Sequence, residues 1–486
     1  MSPRRALPAP APTGPRRSER GSVLIIVLWI SFGLVSLALY FAHTMNFELR
    51  AADNRVAATL ARQAIEGAAR YASNVLVNLE EPGAIPDILT HRTEAVPVGD
   101  AAFWFLGRNP ESSWSNEPWF GFVDEASKLN LNTATANMLE QLPGMTPEFA
   151  AAIIDWRDSD SDLTDGGAED ETYQRLNPPY RCKNAPFESL EELRLVYGAD
   201  LLLLYGDDAN LNGLLDPNED DGENSPPADN RDGRLDPGLF EYLTVSSREP
   251  NTAPDGSTRI NVSSTNRTEL ASLLEEHLGA DRANEILRAF GTPGGGGGGG
   301  GGPGGGGAGA AVTVRSVLEF YLVSGMTTDE FAQVEGYLSV STNQFTEGLV
   351  NVNTASETVL ACLPGIGPEF ASTLVASRPT LTRTEPPSLA WVADVLEREN
   401  AVEAGPYLTA RSYQFTVDIA ALGQHGRGYQ RVKYIFDTSG SAPRIRYRQD
   451  LTHLGWALGP GVREELQQAR REGTIAFGTL GTRWGR

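Results

Sequence analysis

From Ser22 to Ala42 the chain runs for 21 residues without a charge. Coiled as a helix, such a run spans roughly 32 Å, about the hydrocarbon thickness of a bilayer. Helical periodicity continues past it. Leu49, Ala52, Val56, Leu60, Ala64 and Ala68 recur at three- and four-residue steps, and no proline interrupts from Ser22 to Glu81. The pattern predicts one helix over 22–80, half of it in lipid and half packed by one face on a domain. Short strands are predicted in "AAFWFLGR" and "PWFGFVDE". Near the other end, "SYQFTVDIAAL", "YQRVKYIFDT" and "PRIRYRQDL" alternate apolar with polar residues as antiparallel strands do. The early and late strands are expected to form one sheet under the N-terminal helix.

Between them the pattern is helical and repeats itself. "LNLNTATANMLEQLPGMTPEFAAAII" from Leu129 returns as "LVNVNTASETVLACLPGIGPEFASTLV" from Leu349. "RINVSSTNRTELASLLEEHLGADRANEIL" from Arg259 keeps the opening and loses the Leu-Pro-Gly turn. "YLTVSS", "YLSVST" and "YLTARS" recur at Tyr242, Tyr337 and Tyr407. Two related helical units and a partial third are expected. In each full unit Asn132 and Thr133, or Asn353 and Thr354, are placed to cap a first helix. Gly144 and Gly365 allow a tight turn, and Pro147 and Pro368 fall in the first turn of a second helix. A nearly pure glycine tract, Gly294 to Gly309, reads as a flexible linker.

Charge narrows the partners. A net charge of -23 over 486 residues disfavours nucleic acid and suits divalent cations. The two cysteines, Cys182 and Cys362, allow one bridge and no disulfide framework. Arg4, Arg5, Arg16, Arg17 and Arg20 precede the apolar run, so the N-terminus is expected in the cytoplasm and the bulk of the chain outside it.

One loop carries a metal-ligand spacing. In "DDANLNGLLDPNE", Asp208, Asn210, Asn212, Asp216 and Glu219 fall at the oxygen-ligand positions of a calcium loop. Gly213 is at its sixth position, and Leu214 offers a backbone carbonyl. Pro217 argues against the exiting helix of a paired EF-hand. "ADNRDGRLDPG" is a poorer copy, with Asn230, Asp232 and Asp236 in matching places but Ala228 at position one. The acidic loop "DSDSDLTDGGAEDE" from Asp158 is a further candidate. No nucleophile elbow, zinc-protease motif or P-loop occurs, and the five histidines are scattered. No enzyme is expected.

The paired helical units resemble the helix-hairpin-helix motif, whose DNA-binding form holds a phosphate at the hairpin. Here Glu148 and Glu369 follow the turn, which opposes DNA. Taken in order, the leader and helix at Arg16–Leu79, "KLNLNTATANMLEQLPG", "DGGAEDETYQRLNPPYRCKNAPFESLEELRLVYG" and the closing strands resemble the K component of bacterial type II secretion systems, a minor pseudopilin. The resemblance implies cleavage by the prepilin peptidase between Gly21 and Ser22 with methylation of the new terminus. It also implies a place at the pseudopilus tip, partners of the I and J type with secreted cargo as a further contact, and residence in the bacterial inner membrane with the bulk periplasmic. Most pilin-like proteins carry a glutamate at mature position five; here it is Ile26, which suits a subunit with no neighbour above.

The expected fold is therefore α+β: a long N-terminal transmembrane helix packed on a pilin-like antiparallel sheet, with a large inserted helical (helix-hairpin-helix/SAM-like) head. The divisions are a leader 1–21, helix 22–80, first strands 81–127, head unit 128–292 with a structural calcium, glycine linker 293–311, head unit 312–410, and strands and tail 411–486. The alternative reading is a membrane-anchored helix-hairpin-helix DNA receptor of the competence type.

Overall fold

The computed structural model describes residues 22–87, 90–109, 118–264, 267–290, 313–379 and 387–472. The leader and the glycine tract lie outside them. The chain divides after Val56 into two units. Helix α1 runs from Ser22 to Val77. Up to Val56 its apolar side chains are exposed, Trp29 at 72% and Ile26 at 57%. It is long and apolar enough to cross a membrane.

In the second unit, β1 (Val96–Val98), β2 (Ala101–Leu106), β3 (Val123–Asp124), β4 (Gln414–Gly423), β5 (Arg427–Asp437) and β6 (Arg444–Asp450) form one sheet. The order is β1-β2-β4-β5-β6, with β3 also on β4, and every pairing is antiparallel. Early and late strands do share a sheet: Ile419 of β4 faces Phe105 of β2. The segment "PWFGFVDE" contributes only β3 and a bridge from Phe120 to Leu106.

Alternate side chains go to opposite faces of a strand. On one face Phe103, Phe105, Val417, Ile419, Val432 and Tyr434 pack on Ala61, Ala64, Ile65, Ala68 and Ala72 of α1. Small residues at the contact let helix and sheet approach closely. Of the predicted stripe, Ala64 and Ala68 are buried and Leu60 partly so. Leu49, Ala52 and Val56 are exposed, and the buried stripe starts at Ala57 instead. At the hairpin between β4 and β5, a Cβ on Gly423 would fall 2.0 Å from the carbonyl oxygen of Ala57. One on Gly428 (φ +67°) would fall 2.3 Å from the Ala58 nitrogen.

The other face is covered by a helix where only a tail is expected from the sequence. Gly459–Glu472 lays Val462 and Leu466 on Ala102, Trp104, Ala420 and Leu422. Its few apolar residues among many charges gave a weak periodic signal. With both faces covered, β4 is buried along its whole length.

The inserted segment contains three repeats, each closed by a two-residue parallel pairing of its opening on its "YL" motif. Leu129–Asn130 pairs with Leu243–Thr244, Ile260–Asn261 with Leu338–Ser339, and Val350–Asn351 with Leu408–Thr409. The same hydrogen bonds recur. Side-chain oxygens of Asn130, Asn261 and Asn351 accept from the N–H two residues on, at 2.9, 2.8 and 2.9 Å. The hydroxyls of Thr244, Ser339 and Thr409 do likewise at 3.0, 3.0 and 3.1 Å. These local bonds are the turns such residues favour, and they explain why both motifs recur together.

In the first repeat, α2 (Ala136–Glu140) turns through Gly144 (φ +72°) into α3 (Pro147–Arg157). In the middle one, α4 (Thr268–Leu278) meets α5 (Ala280–Ala289) at Gly279 (φ +84°). In the last, α6 (Glu357–Ala361) turns through Gly365 (φ +76°) into α7 (Gly367–Ala376). The caps of α2 and α6 are Thr135 and Ser356, not the predicted Asn and Thr residues. Asn132 is instead tied both ways to the Phe187 backbone, and Asn353 accepts from the Trp391 ring nitrogen. In the first and last repeats an arginine at or just past the end of the second helix reaches back to the opening. Arg157 donates to the Leu131 and Ala134 carbonyls, and Arg378 to those of Val352 and Ala355. Phe290 and Val314, on either side of the glycine tract, enter one buried cluster.

Candidate metal centre

The loop from Asp208 to Glu219 closes on itself around its own oxygens. Asp208 accepts from the N–H groups of Asn212 and Gly213 at 3.0 and 2.8 Å. Asp216 accepts from the side-chain amides of Asn210 and Asn212 at 2.6 and 3.0 Å. Glu219 reaches back to the N–H groups of Ala209 and Asp216, both at 3.0 Å. Gly213 has φ +72°, as the sixth position of such a loop requires. Asp208, Asn210, Asn212, Leu214, Asp216 and Glu219 are thus brought together, and all are buried. No helix directly follows Glu219: residues 220–238 are turns and irregular backbone.

Burial of several carboxylates in one loop is electrostatically costly. It pushes Asp208 up to about 6, and burial together with neighbouring Asp208 pushes Glu219 up to about 8. The Asn210 Oδ1 is buried with no hydrogen-bond partner. Among the described residues no three His, Cys, Asp or Glu side chains gather as a metal site of that kind. This loop mixes carboxylates with amide oxygens and a carbonyl, the oxygen-only set that suits calcium.

The second loop copies part of the first in a more exposed setting. Asn230 donates to Asp236 at 3.1 Å, as Asn210 does to Asp216, and Asp232 accepts from the Arg234 N–H at 2.9 Å. The missing first position is supplied from elsewhere: Gly233 N–H donates to Asp220 at 3.2 Å, where Gly213 uses Asp208. Buried Asp207 stands beside it, raised to about 6 by burial and then by Asp236. Spacing alone could not reveal Asp220 or Asp207, because both lie outside the motif's frame.

The loop after α3 holds a third gathering of oxygens. Fully buried Asp155 accepts from the Thr164 N–H at 3.2 Å. Both carboxylate oxygens of Glu169, 7% exposed, lack any hydrogen-bond partner, as do Asp158 Oδ1 and Asn184 Oδ1. Burial, then Asp155, raises Glu169. Nearby, Cys182 donates towards the Asp155 carbonyl at 3.5 Å; both it and Cys362 are free thiols in the helical core.

Two arginines tie the first loop to the sheet. Arg431 of β5 is fully buried, pairs with Asp418 of β4, and donates to the Asn210 and Leu211 carbonyls. Arg108, just past β2, donates to the Leu211 and Asn212 carbonyls and pairs with Glu241 at 2.9 Å. Asn210 also donates to the Trp456 carbonyl at 3.1 Å. The loop is thereby held where sheet, first repeat and C-terminal helix meet.

Residues 124–204, from β3 through α3 and the Glu169 loop, match the family model of protein K of the type II secretion system. Over 53 residues the chain is 43% identical to type II secretion system protein K of Pectobacterium carotovorum subsp. carotovorum, covering 11% of this chain and 16% of that one. Over 202 residues it is 28% identical to protein K of Aeromonas hydrophila, covering 38% of this chain and 61% of the relative. The chain thus spans less than two thirds of these protein K relatives' lengths. Among solved structures it is similar to a chain of the GspK-GspI-GspJ complex of enterotoxigenic Escherichia coli, with a TM-score of 0.34 and 11% identity over 86% of this chain and 98% of that one.

Proposed function

We propose that this chain is a minor pseudopilin of a type II protein secretion system, a structural and non-catalytic subunit. The observation that carries the reading is the match of residues 124–204 to the protein K family model, in a chain that also has an N-terminal helix long and apolar enough to cross a membrane. The finer reading is a tip subunit. The insertion between β3 and β4 is larger than the sheet it interrupts. One copy at a filament end is accommodated; a copy at every step along a shaft collides with the next. Ile26 offers an apolar side chain where a repeating subunit would offer a carboxylate. Anchorage in the bacterial inner membrane, contact with I and J type pseudopilins and with secreted cargo, and processing between Gly21 and Ser22 with methylation belong to the same proposal.

Calcium is part of it. Asp208, Asn210, Asn212, the Leu214 carbonyl, Asp216 and Glu219 would hold one ion, and Asp220 with Asn230, Asp232 and Asp236 a weaker one. A bound cation neutralises crowded carboxylates. The DNA-receptor reading gains nothing from the hairpins, since Glu148 and Glu369 stand in the first turns of α3 and α7.

The test is a deletion strain complemented with the full chain or with a chain lacking residues 128–410, scored for secretion, with mass spectrometry of the membrane-extracted protein. Secretion restored by the full chain alone, and a methylated Ser22 terminus, are expected. Undiminished secretion in the deletion strain overturns the reading.

A further inference from the structure

β6 is an edge strand. It pairs with β5 on one side, and among the described residues no backbone group bonds to its other side. Its sequence, RIRYRQD, places Arg444, Arg446 and Arg448 within five residues of a chain whose net charge is -23. Arg444 and Arg446 are exposed and meet no carboxylate among the described residues. Arg448 reaches Glu66 only at 4.0 Å, with both side chains more than half exposed. Ile445 is 52% exposed between them. The register steps from Tyr447 opposite Ile435 to Ile445 opposite Phe436, so Arg446 is the extra residue of a bulge.

Arg446 and Tyr447 form one wall of a cleft of about 440 Å³ between the sheet and the first repeat. Lys128 and Lys433 also line it. Of the seven carboxylates lining it, Glu241 pairs with Arg108, Asp437 with Arg248 and Asp418 with Arg431, Glu125 accepts from the hydroxyls of Thr244 and Thr416 and Glu191 from that of Tyr447, while Glu188 and Glu347 stand exposed. The Lys433 ammonium meets Glu191 only at 4.0 Å, and that of Lys128 meets no partner among the described residues.

Charged edges with bulges guard a sheet against pairing with itself. Two β6 strands brought together would set arginine against arginine. The same charges favour an acidic newcomer. We propose that the free edge of β6 docks an acidic extended segment of another protein, which adds to the sheet as a further strand and directs alternate carboxylates into the cleft towards Lys128 and Lys433. The main-chain ladder would supply affinity and the alternating carboxylates specificity. The proposal stands on the sheet and goes beyond the secretion reading.

The test uses the full chain in detergent micelles with three synthetic ten-residue peptides: one alternating glutamate with valine, its glutamine counterpart, and the glutamate peptide N-methylated on alternate peptide bonds. Calorimetry is expected to show binding of the glutamate peptide at least tenfold tighter than of the other two. That affinity should weaken as salt rises from about 50 to about 300 mM. Arg444→Glu/Arg446→Glu and, separately, Lys128→Gln should each reduce it, with melting temperatures unchanged because these side chains are at the surface or in the cleft. Equal affinity for the glutamine peptide overturns the charge argument, and equal affinity for the N-methylated peptide overturns strand addition. Unaltered binding by both variants, or sedimentation of the chain as a dimer through this edge, overturns the site.

Discussion

Arg431 is fully buried against Asp418, with Nε 3.0 Å from Oδ1, and its Nη2 lies 2.7 Å from the Leu211 carbonyl. One side chain therefore joins two sheet strands to the candidate metal loop. Removing one partner of such a pair leaves a buried charge without compensation, which costs about 3–5 kcal/mol. Arg431→Met is expected to lower stability by that order in a urea titration of the detergent-solubilised chain. Arg431→Met/Asp418→Leu should cost clearly less than the two single changes added together. Additive costs would show that the two groups do not act as a pair.

Calcium should raise the melting temperature by mass action, about 2.7 kcal/mol when the ion stands at a hundred times its dissociation constant. Glu219→Ala removes the last carboxylate of the loop and should abolish most of that gain. Asp220→Ala should abolish only a weaker, second phase. A melting curve indifferent to chelator would leave the first loop as a hydrogen-bonded turn.

The hairpin between β4 and β5 can touch α1 only because Gly423 and Gly428 lack side chains. Gly423→Ala and Gly428→Ala should each destabilise by about 2–4 kcal/mol, from overpacking and, at Gly428, a left-handed backbone. Gly440→Ala, where an added Cβ meets nothing within 4 Å, is the control and should be neutral. Equal melting temperatures for all three would contradict the close approach.

Buried Glu335 takes the Leu389 N–H at 3.0 Å, and burial raises it to about 7 against the opposing pull of Ser388 and Arg411, with Glu249 pushing the same way as burial. The native state holds this proton more tightly than the unfolded chain. Its contribution is complete below the unfolded carboxylate value near 4.5 and is lost as pH rises through about 7. At ~1.4 kcal/mol per unit the loss is at most about 3 kcal/mol. Glu335→Gln should flatten the fall in melting temperature between about pH 5 and 8. A variant with the wild-type slope would remove Glu335 as its source.

The long helix, the three late strands and the repeats were legible because each rests on local periodicity or on residues with one favoured turn. Asn130 and Thr244 make their turns within two residues, so their motifs could be read without knowing that they pair across 113 intervening positions. Long-range substitutions were not legible. Asp220 supplies what Ala228 lacks, and Arg431 and Arg108 hold carbonyls more than a hundred residues away, relations that spacing does not encode. The C-terminal helix shows a third limit: Val462 and Leu466 are enough apolar surface once a sheet waits for them, but too little to announce a helix by themselves.

The glycine tract departs from Phe290, stacked on Phe320 at 4.9 Å, and the chain returns at buried Val314 in the same cluster. Entry and exit are thus fixed by one core, whatever lies between. Doubling such a loop costs only about 0.6 kcal/mol in closure entropy. Adding or removing glycines here therefore leaves the buried places of Phe290 and Val314 as they are. The number of glycines is thus free to vary with almost no thermodynamic penalty, while Phe290 and Val314 stay in one core.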